Sequence, residues 1–263
     1  MILMTFMSNL VSIAISTVKE AGKIVKEKFA GDTALTEKGF ANFVTEVDFT
    51  VEKFVTNRLR ITTPECHILT EETYKENLDT DKIIWILDPL DGTTNFIHNY
   101  PHISISLALV VGAKVQLGVI YNPMNDELFY AELGEGAFLN TNRIHVSSHE
   151  SLAKSILGFG LPYNRERTNE IFASVEKVFS TCQDVKRKGP ASLDIAYVAC
   201  GRLDGYFELD LEVWDLSAGL ILLEEAGGKI TDWHGNPLAM VSCQSDVLAT
   251  NGKIHNSLID ILN

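Results

Sequence analysis

Apolar residues recur at helical spacing near the start of the chain. Leu10, Ala14, Val18, Ala21, Val25 and Phe29 fall on one face, with Ser8 placed to cap the first turn and Gly31 to stop the last. A loop containing Lys38, Gly39 and Asn42 follows, and a second helical pattern opens at Phe43 to Asp48. It continues through Val51, Phe54, Val55 and Leu59 and ends ahead of Pro64. His67-Ile68-Leu69 is a short apolar segment that runs into Thr70-Glu71-Glu72. Ile83 to Leu87 has the length and β-branched content of a strand buried on both faces. Ile103 to Val111, Val115 to Tyr121 and Leu128 to Ala131 are separated by short turns, which predicts an antiparallel meander closed by a loop at Gly134 to Phe138 and the segment around Ile144.

From about Ser151 the pattern alternates between strand and helix. Ser155 to Phe159, Val185, Gly205 to Leu209, Lys229 to Thr231 and Val247 to Thr250 suit strands. Helices are expected over Glu170 to Phe179, with Ile171, Val175, Val178 and Phe179 inward, over Leu193 to Cys200, over Leu216 to Ala226, and at the C-terminus. The order predicts an α+β chain, with an antiparallel first half (1–147) joined to a more α/β second half (148–263). Neither a repeat nor a low-complexity linker separates the halves, so they are expected to pack as one unit.

Composition narrows the function. With 263 residues the chain can bury a substantial core, and a formal charge of −13 argues against direct nucleic-acid binding, which needs clustered Lys and Arg. Lys186-Arg187-Lys188 is too short a basic run to reverse that. Cys66, Cys182, Cys200 and Cys243 are scattered without a Cys-x-x-Cys pair, as in a reducing cytosol. The apolar start lacks a basic region, which argues against a signal peptide, and no segment suits a membrane span. A cytoplasmic location without membrane contact is expected.

The chemistry gathers at element boundaries. Asp88-Pro89-Leu90-Asp91-Gly92-Thr93-Thr94-Asn95-Phe96 follows the buried strand, so Pro89 holds Asp88 in an extended conformation and Gly92 permits close approach to a ligand. Asp48 and Asp215 open helices, and Glu71 follows a strand. Singly, these are ordinary helix caps, loop and turn residues. Should they converge, their repulsion raises their pKa values unless cations compensate, and an all-oxygen site suits Mg²⁺. His98 and His102 lack a third ligand and read as packing or surface residues; Gly134-Glu135-Gly136 lacks the strand-to-helix context of a dinucleotide site. Trp85 and Trp214 read as packing residues beside the site.

The Asp88 to Phe96 stretch resembles the signature of the inositol monophosphatases. Trp214-Asp215-Leu216-Ser217-Ala218-Gly219, with Glu225-Ala226-Gly227-Gly228 behind it, is similar to their second signature. Phe43-Val44-Thr45 before Asp48, Glu71-Glu72 and Gly201 to Glu208 match in order and spacing. The resemblance implies a layered αβαβα sandwich of the fructose-1,6-bisphosphatase and inositol monophosphatase type. It implies a Mg²⁺-dependent phosphomonoesterase, with myo-inositol 1-phosphate the first substrate expected. Glu71, Asp88 and the Leu90 carbonyl would hold the first Mg²⁺; Asp88, Asp91 and Asp215 would hold the second; a third would sit near Glu71. Thr93 with Asp48 would orient the attacking water. The Gly92 and Thr93 amides would receive the phosphate, Glu208 and Ala191 would meet substrate hydroxyls, and Asp91 and Asp215 would also face the substrate. Lys38 and Asn42 would lie in a loop near the metals. Lithium sensitivity and a homodimer are implied as well.

Three departures stand out: Thr70 precedes Glu71 where relatives carry Gly, Asn42 stands for Asp, and Gly189-Pro190-Ala191-Ser192 replaces a Gly-Ser/Thr-Ala-Ala pattern. The last removes a hydroxyl and an N–H beside the substrate. Fructose 1,6-bisphosphate, NADP(H), 3′-phosphoadenosine 5′-phosphate and histidinol phosphate stay open as substrates, as does a regulatory partnership with the transcription machinery.

Overall fold

In the computed structural model, residues 2–31, 34–39, 42–72, 82–238 and 244–263 are described, with the side chains of 2–8, 38, 39 and 42 left aside. The architecture follows from which strands carry apolar residues on both faces. The strand that ends in the aspartates, β4 (Ile83–Asp91), is buried from Ile84 to Leu90. Ile84 and Ile86 point into one apolar cluster, Trp85 and Leu87 into another, as the two-residue period of a strand requires. Each such fully buried side chain contributes about 1.5–3 kcal/mol.

β4 lies second in a seven-stranded sheet. It is parallel to β3 (His67–Thr70) and antiparallel to β5 (Ser104–Val111), which leads into a meander of β6 (Lys114–Asn122), β7 (Glu127–Glu132), β8 (Gly136–Leu139) and β9 (Asn142–Ile144). On its outer face lie α1 (Ile2–Lys28) and α2 (Glu46–Thr62), burying Leu10, Ala14, Val18, Val51, Val55 and Leu59 against Trp85, Leu107 and Val119. The opposite face is covered by α5 (Ala191–Ala199) and α6 (Val213–Glu225). These two helices also back a second sheet, in the order β11 (Asp184–Lys186), β10 (Ile156–Phe159), β12 (Gly205–Glu212), β14 (Gln244–Thr250) and β13 (Lys229–Asp232). Beyond that sheet, α4 (Thr168–Phe179) and α7 (His255–Leu262) pack on Leu157, Phe207 and Leu248. The result is the expected αβαβα sandwich, with α5 and α6 as its central layer. Gly118 lets α6 lie close on β6, since a Cβ there would meet the Ala218 carbonyl at 2.6 Å.

Local expectations fail in instructive places. α1 starts at Ile2 instead of at a Ser8 cap, since Leu and Met ahead of Ser8 favour helix. Its left-handed end residue is Ala30 (φ 61°), not Gly31. The expected loop around Lys38 and Asn42 is a short hairpin of β1 (Leu35–Gly39) and β2 (Asn42–Thr45). Gly136 to Phe138 belongs to β8, because Phe138 and Ala137 pair with Tyr130 and Ala131. In α4, Ile171 and Val178 are buried but Phe179 is 57% exposed, one residue and about 100° round the helix from Val178. Among the described residues, Cys66, Cys182 and Cys200 are free thiols, and no helix is long and apolar enough to cross a membrane. Cys243 lies outside the described residues.

Candidate active site

Two residues three apart on a regular strand point to opposite faces, yet Asp88 and Asp91 share one site. A bulge makes this possible: Asp88 pairs with Ser106 and Asp91 with Ser104, so β4 carries one residue more than β5 at Pro89-Leu90. Asp88 is 1% exposed, and its Oδ1 accepts the Leu90 N–H at 3.0 Å. Asp91 Oδ2 accepts the Ser192 N–H at 3.0 Å, which ties β4 to the start of α5. Gly92, at φ 95°, then turns the chain into α3 (Thr93–Ile97). Only glycine suits this φ readily, and a Cβ would also crowd the His102 carbonyl at 3.3 Å. Asn95 Nδ2 donates to the His102 carbonyl at 2.8 Å and to that of Lys188 at 3.2 Å, while Phe96 packs edge-on against Phe29.

Helix capping supplies two further carboxylates. Asp48 and Asp215 are the third residues of α2 and α6, and each closes a capping box with the residue before its helix. Asp48 Oδ2 accepts the Thr45 N–H at 2.9 Å and the Thr45 hydroxyl; Asp215 Oδ2 accepts the Glu212 N–H at 2.9 Å. One oxygen of each carboxylate is thus fixed by its own helix. The other Asp48 oxygen, Oδ1, lies 2.9 Å from the Thr93 hydroxyl, which is also 3.1 Å from the Leu90 carbonyl. The commonplace capping reading and the site reading therefore describe the same side chains.

Carboxylate oxygens of Asp88, Asp91 and Asp215 can all come within 4.8 Å of one another. Glu71 follows β3, its N–H bonded to the Leu87 carbonyl at 3.2 Å, and borders the same cleft as these three. Glu208, on β12, is 9% exposed and accepts a hydrogen bond from the Tyr206 hydroxyl. Gly160 makes room for it, since a Cβ there would fall 2.0 Å from the Glu208 carboxyl carbon. The cleft measures about 430 Å³ and adjoins a second of about 250 Å³; both are bordered by Asp91, Gly92, Glu208 and Asp215, and the second also by Ala191.

This crowding shows in the protonation equilibria. Burial first, then the negative charges of Glu71, Asp91 and Asp215, hold the Asp88 carboxyl well above the ordinary range. Asp215 is raised likewise, by burial and by Asp91 and Glu71. Burial lifts Asp91 to about 7 against the lowering effect of its Ser192 bonds. Asp48 is raised by burial despite its bonds to Thr45 and Thr93, and Glu208 is pushed by burial to about 7. Carboxylates left in so acidic a cleft call for a cation. Among the described residues the donors are oxygen throughout, without His or Cys, which fits hard Mg²⁺ and not Zn²⁺.

Other candidates stay apart. His98 is exposed; His102 is buried 4.0 Å from Asp194 and falls to a pKa of about 4, first through burial. Gly134 and Gly136 donate their N–H groups to Glu225, as a turn tied to α6. Trp85 is fully buried, its Nε1 bonded to Thr63, whereas Trp214 borders the cleft. The Lys38 and Asn42 side chains lie outside the described residues. Thr70 is 3% exposed within β3, and Pro190 directly precedes α5. Sequence reasoning missed the segment Gly160 to Arg165 and Arg187, which also line the clefts. Their only signal was position, between a strand and a helix of the second half.

Comparison with known proteins agrees with this geometry. The family model described as "Inositol monophosphatase family" matches residues 7–263. The Nus factor SuhB of Escherichia coli (strain K12) is 36% identical over 257 residues, covering 96% of this chain and 95% of its own. Inositol monophosphatase 2 of Solanum lycopersicum is 35% identical, covering 98% of this chain and 99% of its own. The solved inositol monophosphatase from Anabaena (Nostoc) sp. PCC 7120 superposes with a TM-score of 0.87 at 38% identity, covering 97% of this chain and 96% of that one. By its sequence, its layers and the residues gathered in its cleft, this chain belongs to the inositol monophosphatase family.

Proposed function

We propose that this chain is a Mg²⁺-dependent phosphatase of small phosphate monoesters, with myo-inositol 1-phosphate its first substrate. The observation that carries this reading is the convergence of Asp88, Asp91 and Asp215, from segments far apart in sequence, on one acidic cleft. Asp88 would serve both principal ions, Glu71 and the Leu90 carbonyl the first, Asp91 and Asp215 the second, with a third near Glu71. Bound there, Mg²⁺ neutralises the phosphate dianion and lowers the pKa of water.

Positioning is then the work of the chain. The Thr93 hydroxyl lies within donating distance of Asp48, so toward a water molecule it presents a lone pair and accepts a hydrogen bond. The Gly92 and Thr93 amides face the phosphate oxygens. Glu208, with its pKa near neutrality, can accept from or donate to a substrate hydroxyl, and Ala191 meets a second hydroxyl. No side-chain nucleophile is needed.

The test is phosphate release from myo-inositol 1-phosphate, fructose 1,6-bisphosphate, NADP, 3′-phosphoadenosine 5′-phosphate and histidinol phosphate, with and without Mg²⁺ and Li⁺. Release should need Mg²⁺, fall with Li⁺ and be fastest with the inositol ester. No release from any ester at millimolar Mg²⁺ overturns the reading. The similarity to a protein named Nus factor supports a second reading, a regulatory role beside RNA polymerase; a homodimer in the cytoplasm is inferred from the family resemblance alone. Recovery of polymerase subunits on the purified chain tests the regulatory role.

A further inference from the structure

Arg167 is bonded to the limit of its chemistry. Its Nε and Nη2 hold Glu170 at 2.8 and 2.7 Å, Nη1 and Nη2 hold Asp246 at 2.7 and 2.8 Å, and Nη1 also reaches Asp210 at 2.6 Å. Five contacts match the five N–H donors of a guanidinium. Three carboxylates on one half-buried cation would be an ordinary surface cluster, were it not for the backbone of one of them.

Asp210 has φ 59°, and of the non-glycine residues described with positive φ it alone lies inside a strand. It forms a bulge: Glu208 pairs with Val247 and Leu211 with Ser245, so β12 carries one residue more than β14. The bulge reverses the alternation of the strand. Phe207 and Leu209 pack outward toward α4 and α7, whereas Tyr206 and Leu211 both face the central layer, although they lie an odd number of positions apart. Without the bulge Leu211 would face the other way, and with it Glu212, Val213 and the start of α6 that carries Asp215. The same bulge lies just beyond Glu208. A left-handed conformation costs an aspartate free energy that glycine does not lose, so something must hold it. Two contacts do: the Asp210 N–H donates to Asp246 Oδ1 at 3.0 Å, and Arg167 clamps both carboxylates. Asp210 Oδ2 is buried without a hydrogen-bond partner, and the arginine reaches only Oδ1, so the carboxylate depends on that one contact for its charge balance.

We propose that Arg167 is a positioning residue: by clamping Asp210 and Asp246 it holds the β12 bulge that aims Glu208 and Asp215 into the cleft. Arg167 touches neither Glu208 nor Asp215; of the carboxylates it holds, only Asp210, at the bulge itself, borders the cleft. The inference rests on the phosphatase reading for its activity readout, and on cation binding for a readout independent of it.

The experiment compares the unsubstituted chain with Arg167→Met, Arg167→Lys, Asp210→Gly and the double variant Arg167→Met/Asp210→Gly. Mg²⁺ affinity is measured by calorimetry and kcat and KM by phosphate release. Arg167→Met should weaken Mg²⁺ binding and lower kcat/KM, each by about tenfold, the scale of one strained residue released. Arg167→Lys should fall between, since an ammonium cannot clamp two carboxylates in the fork geometry. Asp210→Gly should stay near the unsubstituted values, because glycine adopts φ 59° unaided. The double variant should recover most of what Arg167→Met loses. Unchanged Mg²⁺ affinity in Arg167→Met, or no recovery in the double variant while its melting temperature matches that of Asp210→Gly, overturns the proposal. If the unsubstituted chain binds Mg²⁺ but releases no phosphate, the phosphatase reading fails while the calorimetric comparison still decides the role of Arg167.

Discussion

Replacing Asp91 by Asn separates a residue kept for its charge from one kept for its shape. The amide still offers an oxygen to the Ser192 N–H, so the packing of β4 on α5 survives. What it removes is a carboxylate lifted from 3.8 to about 7. The sign follows from linkage: an acid with a raised folded-state pKa costs nothing below its unfolded value, and the cost grows until the pH passes the folded value. At about 1.36 kcal/mol per pH unit, the full cost without metal at pH 8 is at most about 4 kcal/mol. Burial is the main source of this cost and repulsion by Glu71 a smaller one; about half, ~2 kcal/mol, is a working figure for the gain on substitution. For a chain of this size that raises the melting temperature by about 4–8 °C. The assay is thermal unfolding in EDTA from pH 8 down to pH 4. Asp91→Asn should be the more stable at pH 8, the difference should shrink as pH falls through 7, and it should vanish near 4. Added Mg²⁺ should reverse the order and phosphate release should be lost. A variant less stable than the parent at pH 8 in EDTA would refute the reasoning, making Asp91 a structural residue.

Thr93→Ala removes the hydroxyl that lies between Asp48 and the Leu90 carbonyl; kcat should fall about 100-fold with KM and melting temperature little changed, and equal rates would exclude Thr93 from the chemistry. Gly160→Ala should displace Glu208, raising KM for myo-inositol 1-phosphate while calorimetric Mg²⁺ affinity stays constant. Gly118→Ala sets a methyl group against the Ala218 carbonyl and should destabilise the protein by about 1–3 kcal/mol, read from denaturant midpoints.

The sequence alone makes much of this arrangement legible, for physical reasons that differ from place to place. Ile83 to Leu87 must be a two-faced strand because no polar residue interrupts it, and its neighbours follow from short turns. The site clusters where side chains end elements, which is why Asp48, Asp88 and Asp215 stand out. Their double duty does not show: nothing in a sequence says that a capping carboxylate has one oxygen left over. The β4 bulge is hidden for a related reason, since it depends on the partner strand β5. Segment Gly160 to Arg165 is illegible because its residues are ordinary and only the tertiary fold brings them to the cleft. Phe179 shows the opposite limit, an aromatic residue at an expected inward position that the outermost layer leaves in solvent.

On the proposed function, Asp88, Asp91 and Asp215 hold catalytic cations. Anomalous diffraction from crystals grown with Mn²⁺ and inorganic phosphate tests it most directly, as Mn²⁺ scatters where Mg²⁺ does not. At least two anomalous peaks are expected, with Asp88 touching both and Asp91 and Asp215 touching one, and phosphate beside Gly92. Peaks absent from this cleft, or bound only at surface carboxylates, would contradict it.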